Sequence, residues 1–396
     1  MYDFVTLKSR KGTNASKWEA MYAIDPDVPE DIVPLSVADM EFKHAPEIGE
    51  AIGEYCKNEI LGYSNGHPSY YQAVVDWMWK RHNWKIEKDW ILEYPGVVPA
   101  LYHCVRAFTQ PGEKVLLLTP VYYPFYNAVK KGDRQLVESS LVLNGERYEI
   151  DFEDFEEKAK DPAVKLVIIS NPHNPVGIVW TREELTRLGR ICIDNGVRVV
   201  SDEIHKDLIM PGYRHTVFAS ISEEFARHCV VCTAPSKTFN LAGMCTSSII
   251  VPDREIRETL RNYREDQAMH FCNTAGRVAC ETAYNKCERW LEELLAVLES
   301  NRKMVEDFFA KNLPEIRVIR LEGTYLQWLD FRAWGMSAAE LEAFMTKEAL
   351  IFGDEGYIFG KAGEGFERLN IACPAHVLEA ALNRILEARK KYLNNK

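Results

Sequence analysis

The sequence predicts an α/β protein, an open and mostly parallel sheet with helices on both faces, followed by a smaller C-terminal α+β domain. Three observations lead there. Five short apolar runs between residues 115 and 251 read as buried strands, a capped amphipathic helix separates two of them, and after Ala283 the pattern changes to long charged helices with two further strands. At 396 residues the chain exceeds the size at which one hydrophobic core stops growing, so two domains are expected. The boundaries read as an N-terminal arm over 1–45 that packs with the small domain, a large domain over 46–285 and a small domain over 286–396.

The strands fall at 115–119, 165–170, 197–201, 230–233 and 248–251. Between the second and third, Thr181 with Glu184 three residues on forms a capping box, and Asn195-Gly196 closes the helix. Strand, helix, strand at this spacing implies a right-handed crossover and parallel pairing. The turn Tyr94-Pro95-Gly96-Val97-Val98 feeds a helix expected from Pro99 toward Gln110. In the last third, helix is expected over 288–309, strand over 317–321 and 325–331, helix over 338–350 and a final helix from Pro374.

A net charge of −11 leaves no basic stripe to neutralise phosphates, which excludes nucleic acid as a partner. No stretch approaches the ~18 apolar residues of a membrane span, and residues 1–10 lack a signal pattern, so a cytoplasmic enzyme is expected. The ten cysteines read as reduced, buried small hydrophobes. Cys229 and Cys232 lie three apart on a strand, on opposite faces, so they do not share a metal; no metal site is expected.

In an open parallel sheet, ligands bind beyond the carboxyl ends of the strands. Those ends carry Ser170-Asn171-Pro172-His173-Asn174-Pro175, then Ser201-Asp202-Glu203-Ile204-His205, then Ala234-Pro235-Ser236-Lys237. A lysine among small residues at the end of an apolar strand has its charged form disfavoured, which makes it a nucleophile toward an aldehyde and a proton carrier. The aldehyde most often paired with such a lysine is pyridoxal 5′-phosphate. Asp202 then suits the protonated pyridine nitrogen and Asn174 the phenolic oxygen. Gly96, Val97 and Val98 at a helix start offer backbone N–H groups to the phosphate, with Thr233 and Ser236 as hydroxyl donors. Taken singly, Asn-Pro is commonly a turn, Asp-Glu a solvated strand end, Arg368 a surface charge and the tyrosines core packing. Their joint order along the chain is what favours a site.

Seven segments carry a resemblance: Ser36-Val-Ala-Asp-Met-Glu-Phe42, Pro120-Val-Tyr-Tyr-Pro-Phe125, Asn171-Pro-His-Asn-Pro-Val-Gly177, Ser201-Asp-Glu-Ile-His205, the Lys237 run, Gly323-Thr-Tyr-Leu-Gln-Trp-Leu-Asp330 and Phe366-Glu-Arg-Leu-Asn370. The chain resembles the fold-type I, aminotransferase-like pyridoxal phosphate enzymes. Within them it is similar to the cystathionine β-lyase and cysteine desulfhydrase branch typified by MalY, PatB and cystalysin, nearest the cystalysin type. The resemblance implies that Lys237 holds the cofactor and moves the Cα proton, and that Tyr122 stacks on its ring. It also implies that Tyr123 helps at the substrate, while Arg368 clamps the substrate carboxylate beside Val37, Ala38 and Asn174. Tyr63 would reach the phosphate of a neighbouring subunit, in a homodimer with its active sites at the interface. Two positions depart from the aminotransferase pattern: Cys245 stands where many have an arginine for the phosphate, and His205 where many have a tyrosine. The activity implied is β-elimination from L-cystathionine or L-cysteine, giving pyruvate, ammonia and a thiol or hydrogen sulfide. The alternatives are an aminotransferase and a lyase with an added regulatory, protein-binding role.

Overall fold

The computed structural model describes residues 1–269 and 272–394. Its centre is a seven-stranded sheet of β1 (Ile91–Tyr94), β2 (Lys114–Thr119), β3 (Gln135–Ser140), β6 (Val164–Ser170), β7 (Arg198–Asp202), β8 (Cys229–Thr233) and β9 (Ser247–Ile250), in spatial order β1-β9-β8-β7-β6-β2-β3. A short hairpin, β4 (Val142–Asn144) and β5 (Arg147–Glu149), follows β3. The five strands from β3 to β8 pair in parallel, while β9 runs antiparallel to both β8 and β1. Of these strands, β3 carries too few apolar residues to be read from pattern alone, and the four-residue β1 is held by pairing with β9.

Both faces of the sheet are buried, and alternate residues feed different cores. Val167, Val199 and Val231 pack with Leu185 and Leu188 of the helix Arg182–Asp194, whereas Ile168, Val200 and Val230 pack with Ala100, Leu101 and Cys104 of the helix Val97–Phe108. That split is the period-2 alternation of a strand covered on two sides. It also separates Cys229 from Cys232, which belong to opposite cores. Among the described residues no group of His, Cys, Asp or Glu is arranged to hold a metal ion, and no helix is long and apolar enough to cross a membrane. All ten cysteines are free; Cys56 and Cys245 are exposed rather than buried as expected, and Cys272 is half-buried.

The helix between β6 and β7 forms as expected: Thr181 Oγ1 accepts from Glu184 N–H at 3.1 Å and Glu184 Oε2 accepts from Thr181 N–H at 2.8 Å. Three expectations need correction. The helix after Gly96 begins at Val97, two residues early, because Gly96 is itself the N-cap. The strand expected over 317–321 shortens to β10 (Arg317–Val318), since the chain leaves the sheet before Gly323. The helix expected over 338–350 is α-helical only over Ala338–Ala343 and continues as a π-turn over Phe344–Glu348.

The second sheet is antiparallel, in the order β10, β11 (Leu326–Asp330), β13 (Phe366–Asn370), β12 (Asp354–Glu355). Residues near the N-terminus lie against it. Leu35 N–H donates to Phe352 O at 2.8 Å, Asn370 N–H to Leu35 O at 2.8 Å and Glu41 N–H to Ala372 O at 2.9 Å. These bonds turn residues 35–41 into a strap between the second sheet and the strand ends of the first.

Gly189, inside the helix Arg182–Asp194, shows how closely that helix is packed. A Cβ there would stand 2.0 Å from the buried Phe225 ring. Helix propensity alone favours alanine over glycine by about 1 kcal/mol, but overpacking a core costs about 1–3 kcal/mol. Gly189→Ala is therefore expected to lower the urea midpoint of unfolding, with no change in cofactor binding.

Candidate active site

Parallel pairing sets the strand ends side by side. Asp202, the last residue of β7, is in register with Ser170 of β6 and Cys232 of β8, and its carbonyl accepts from Asn171 N–H at 2.8 Å. Tyr94 of β1 and Thr233 of β8 lie opposite the neighbouring residues Ser247 and Ser248 of β9, so the helix that starts at Val97 opens at the same sheet edge. Lys237 stands four residues beyond β8, on a single helical turn over Pro235–Thr238. That turn has no side-chain cap at its start, and other elements hold it in place. Thr238 Oγ1 donates to Asp207 Oδ2 at 2.8 Å, while Asn240 Oδ1 accepts from Met40 N–H at 2.9 Å and its Nδ2 donates to Phe42 O at 2.8 Å.

The Lys237 side chain is half-buried and its Nζ donates to Ala38 O at 2.7 Å. Its pKa is pushed down to about 8, first by burial; Asp39 and Asp202 oppose that shift and Arg368 and Lys17 add to it. Asp202, 5% exposed, is pushed up to about 7 by burial, against a backbone N–H bond from Ile204 and the field of Lys237. Burial also holds the His205 imidazole well below its ordinary range, so it is neutral, and its Nδ1 has no hydrogen-bond partner among the described residues. Glu203, expected as part of a solvated strand end, is instead fully buried: it accepts from Phe218 N–H at 2.9 Å and pairs with His215 at 2.9 Å.

Arg368 is buried as well, which corrects its reading as a surface charge. It is 2% exposed on β13, with Nε 3.2 Å and Nη2 2.5 Å from Asp354 Oδ2 and Nη1 donating to Asn174 Oδ1 at 2.8 Å. Asp354 Oδ2 also accepts from Val37 N–H at 3.0 Å, and Asn370 Nδ2 donates to Val37 O at 2.8 Å. Asn174 is thereby tied to Arg368, and its carbonyl accepts from Tyr122 N–H at 3.1 Å. Tyr122 is half-buried, its phenol held protonated by burial, with the Tyr123 ring 5.1 Å away and 43% exposed.

The structure thus links Lys237, Asp202, His205, Asn174, Tyr122, Tyr123, Arg368, Val37 and Ala38 in one site through hydrogen bonds, ring contact and charge. Thr233, Ser236, Gly96, Val97 and Val98 lie along the same edge. Tyr63 lies on an exposed segment with Ile60 and Leu61. Three residues without an assigned role in the sequence reading belong to the same site. Tyr325, fully buried, donates its hydroxyl to Ala38 O at 2.9 Å; Asp354 holds Arg368; Asp39 is the strongest charge acting on Lys237. Tyr325 and Asp39 sit inside the Gly323 and Ser36 segments, which were the available signal, whereas nothing local marks Asp354.

A model of the aminotransferase class I and II family matches residues 30–385. The chain belongs to that family. Cystathionine β-lyase PatB of Bacillus subtilis is 41% identical to it over 98% of this chain and 99% of the relative. Cystalysin of Treponema denticola, in a structure that contains pyridoxal 5′-phosphate, superposes with a TM-score of 0.98 at 46% identity, covering 99% of this chain and 100% of that one. The pyridoxal-phosphate-bound C–S lyase of Staphylococcus hominis superposes with a TM-score of 0.91 at 32% identity, over 98% of each chain. The architecture is the fold-type I aminotransferase-like one, and the cofactor is pyridoxal 5′-phosphate.

The residues present fit that cofactor. Among the described residues the buried Asp202 carboxyl, its pKa raised, makes no ion pair, and a protonated pyridine nitrogen would supply one. The helix Val97–Phe108 has no side-chain cap on its first N–H groups, which leaves them for a phosphate. The Asp202 carboxyl is consequential for stability. Folded, it keeps its proton to about pH 7, whereas the unfolded group releases it at about pH 4, the ordinary range of an aspartate. Stability therefore falls as pH rises from about 4 to 7, and a penalty of about 4 kcal/mol stands above 7. Cofactor-free Asp202→Asn is expected to melt higher than the cofactor-free parent at pH 8, with the gap closing near pH 4, and to bind pyridoxal phosphate more weakly.

Proposed function

We propose that the protein is a pyridoxal-phosphate-dependent carbon–sulfur β-lyase acting on L-cystathionine, L-cysteine or both. The reading is carried by the Lys237 amine, set between Asp202 and Arg368 at the strand ends of a chain 41% identical to a cystathionine β-lyase. Bound pyridoxal phosphate supplies an electron sink that stabilises negative charge at the substrate Cα. Asp202 would hold the pyridine nitrogen, Asn174 and His205 the phenolic oxygen, and Tyr122 the face of the ring. Gly96, Val97, Val98, Thr233 and Ser236 supply phosphate donors.

Arg368 receives the substrate α-carboxylate. Asp354 occupies the Nε and Nη2 edge of its guanidinium, which fixes the fork and leaves other N–H groups to bind. Ala38 and Val37 close the carboxylate end. Lys237, with its amine easily neutralised, takes the Cα proton. Tyr122, its phenol kept protonated by burial, and the neighbouring Tyr123 hydroxyl stand where the departing sulfur gains a proton. The products are a thiol or hydrogen sulfide, with pyruvate and ammonia after hydrolysis.

On the same reading the chain divides into an arm over 1–45, a large unit over 46–285 and a small one over 286–396. The exposed Ile60, Leu61 and Tyr63 are covered in a homodimer, where Tyr63 reaches the neighbour's phosphate. The enzyme works in the cytoplasm.

Incubation with cystathionine or cysteine is expected to yield pyruvate and thiol or sulfide without any added keto acid. Turnover that requires 2-oxoglutarate identifies an aminotransferase instead. Lys237→Ala is expected to lose the visible absorbance of bound cofactor together with all elimination. Arg368→Lys keeps the charge that Asp354 needs but loses the planar fork. Its kcat/KM is expected to fall about 10- to 100-fold, mostly through KM, as for a lost hydrogen bond to a charged group.

A further inference from the structure

Four charged side chains of the N-terminal segment lie together, Asp39 and Glu41 on the strap and Arg10 and Lys17 against it, and the chemistry above uses none of them. Lys17, 1% exposed along its side chain, places Nζ 2.7 Å from Glu41 Oε1 and 3.1 Å from Asp39 Oδ1, and donates to Asp39 O at 2.9 Å. Arg10 places Nη2 2.9 Å from Asp39 Oδ2 and Nη1 3.2 Å from Glu41 Oε1. Lys17 and Glu41 are buried, Arg10 and Asp39 partly so; burying a paired charge costs several kcal/mol per ion, and an apolar pair of the same volume would pack as well or better. The arrangement therefore reads as one that fixes positions.

What it fixes is the strap beside Lys237. Asp39 follows Ala38, whose carbonyl receives both Lys237 Nζ at 2.7 Å and the Tyr325 hydroxyl at 2.9 Å. On one side Asn240, three residues beyond Lys237, grips Met40 and Phe42; on the other Asn370, two beyond Arg368, donates to the carbonyls of Val37 and Asp39 at 2.8 and 2.7 Å. The strap is thus anchored to the elements that bear the two charged groups of the site. The groups facing Lys237 are Asp39 of the strap, Lys17 behind it, Asp202 and His205 at the end of β7, and Arg368 of β13.

We propose that Asp39 is a positioning residue for the Lys237 nitrogen: clamped by Arg10 and Lys17, its carboxylate holds a proton on that nitrogen, and the adjoining Ala38 carbonyl receives the amine whenever it is released. The proposal rests on Lys237 being the cofactor lysine. Among these groups Asp39 favours the charged form most, while Lys17 opposes it more weakly than Arg368 does. In elimination this keeps the proton taken from Cα on the lysine until it is passed on.

The test is a pH titration of the visible absorbance of the holoenzyme, which follows the proton on the Lys237 nitrogen. Asp39→Asn removes the negative charge and is expected to move the midpoint about one pH unit to lower pH. Arg10→Gln leaves the Asp39 charge less compensated and is expected to move it several tenths of a unit to higher pH, so that variant carries the test if Asp39→Asn does not fold. Opposite displacements support the proposal, since a loosened strap would shift both variants alike. An unchanged midpoint in either variant, or displacements of the same sign, overturns it. Lys237→Ala serves as the reference: if it retains the titration, the lysine assignment fails, independently of Asp39.

Discussion

The buried Arg368 guanidinium joins the three parts of the molecule. It sits on a strand of the second sheet, donates to Asn174 on a loop of the first, and pairs with Asp354, whose same oxygen accepts the Val37 amide of the N-terminal strap. A guanidinium at 2% exposure is stable only when its N–H groups are matched, so each partner must be present and placed. Arg368 is a structural clamp and, on the proposed function, also the cation that would receive a substrate carboxylate.

Around it the site works by controlled desolvation. Burial pulls Lys237 down to about 8 and pushes Asp202 up to about 7, so two groups of opposite sign titrate within about one unit of each other. On the proposed function a protonated pyridine nitrogen would restore that carboxylate, so that cofactor binding would offset the cost of burying it. The neutral His205 and the protonated phenols of Tyr122 and Tyr325 add polar groups without adding charge.

The short turn that carries Lys237 cannot hold itself in place, because four residues close too few backbone bonds. It borrows rigidity from Asp207 through Thr238 and from the strap through Asn240. Asp207 accepts as well from Trp77 at 3.1 Å, His82 at 2.8 Å and Lys206 at 3.1 Å, which fills the hydrogen-bonding capacity of one carboxylate. Precision at the lysine is thus supplied by long-range contacts.

Periodicity and end signals made much of this legible in advance. The apolar runs located β2, β6, β7, β8 and β9 to within a residue or two, because strands buried on both faces are continuous in apolar character. Polar clusters at the ends of those strands marked Asn174, Asp202 and Lys237, since parallel pairing leaves only strand ends open to a ligand. Pattern alone could not locate β1, whose place depends on pairing with β9, nor the break at Ala343, nor the burial of Glu203 and Arg368. Burial of a charge depends on partners distant in sequence: Asp354 is 14 residues from Arg368, and Asn174 is 194. The sequence by itself determined the chemical inventory and the order in which strands present it. Only the tertiary structure decided which charges lose their water, and that loss sets the pKa of each group and hence what it can do.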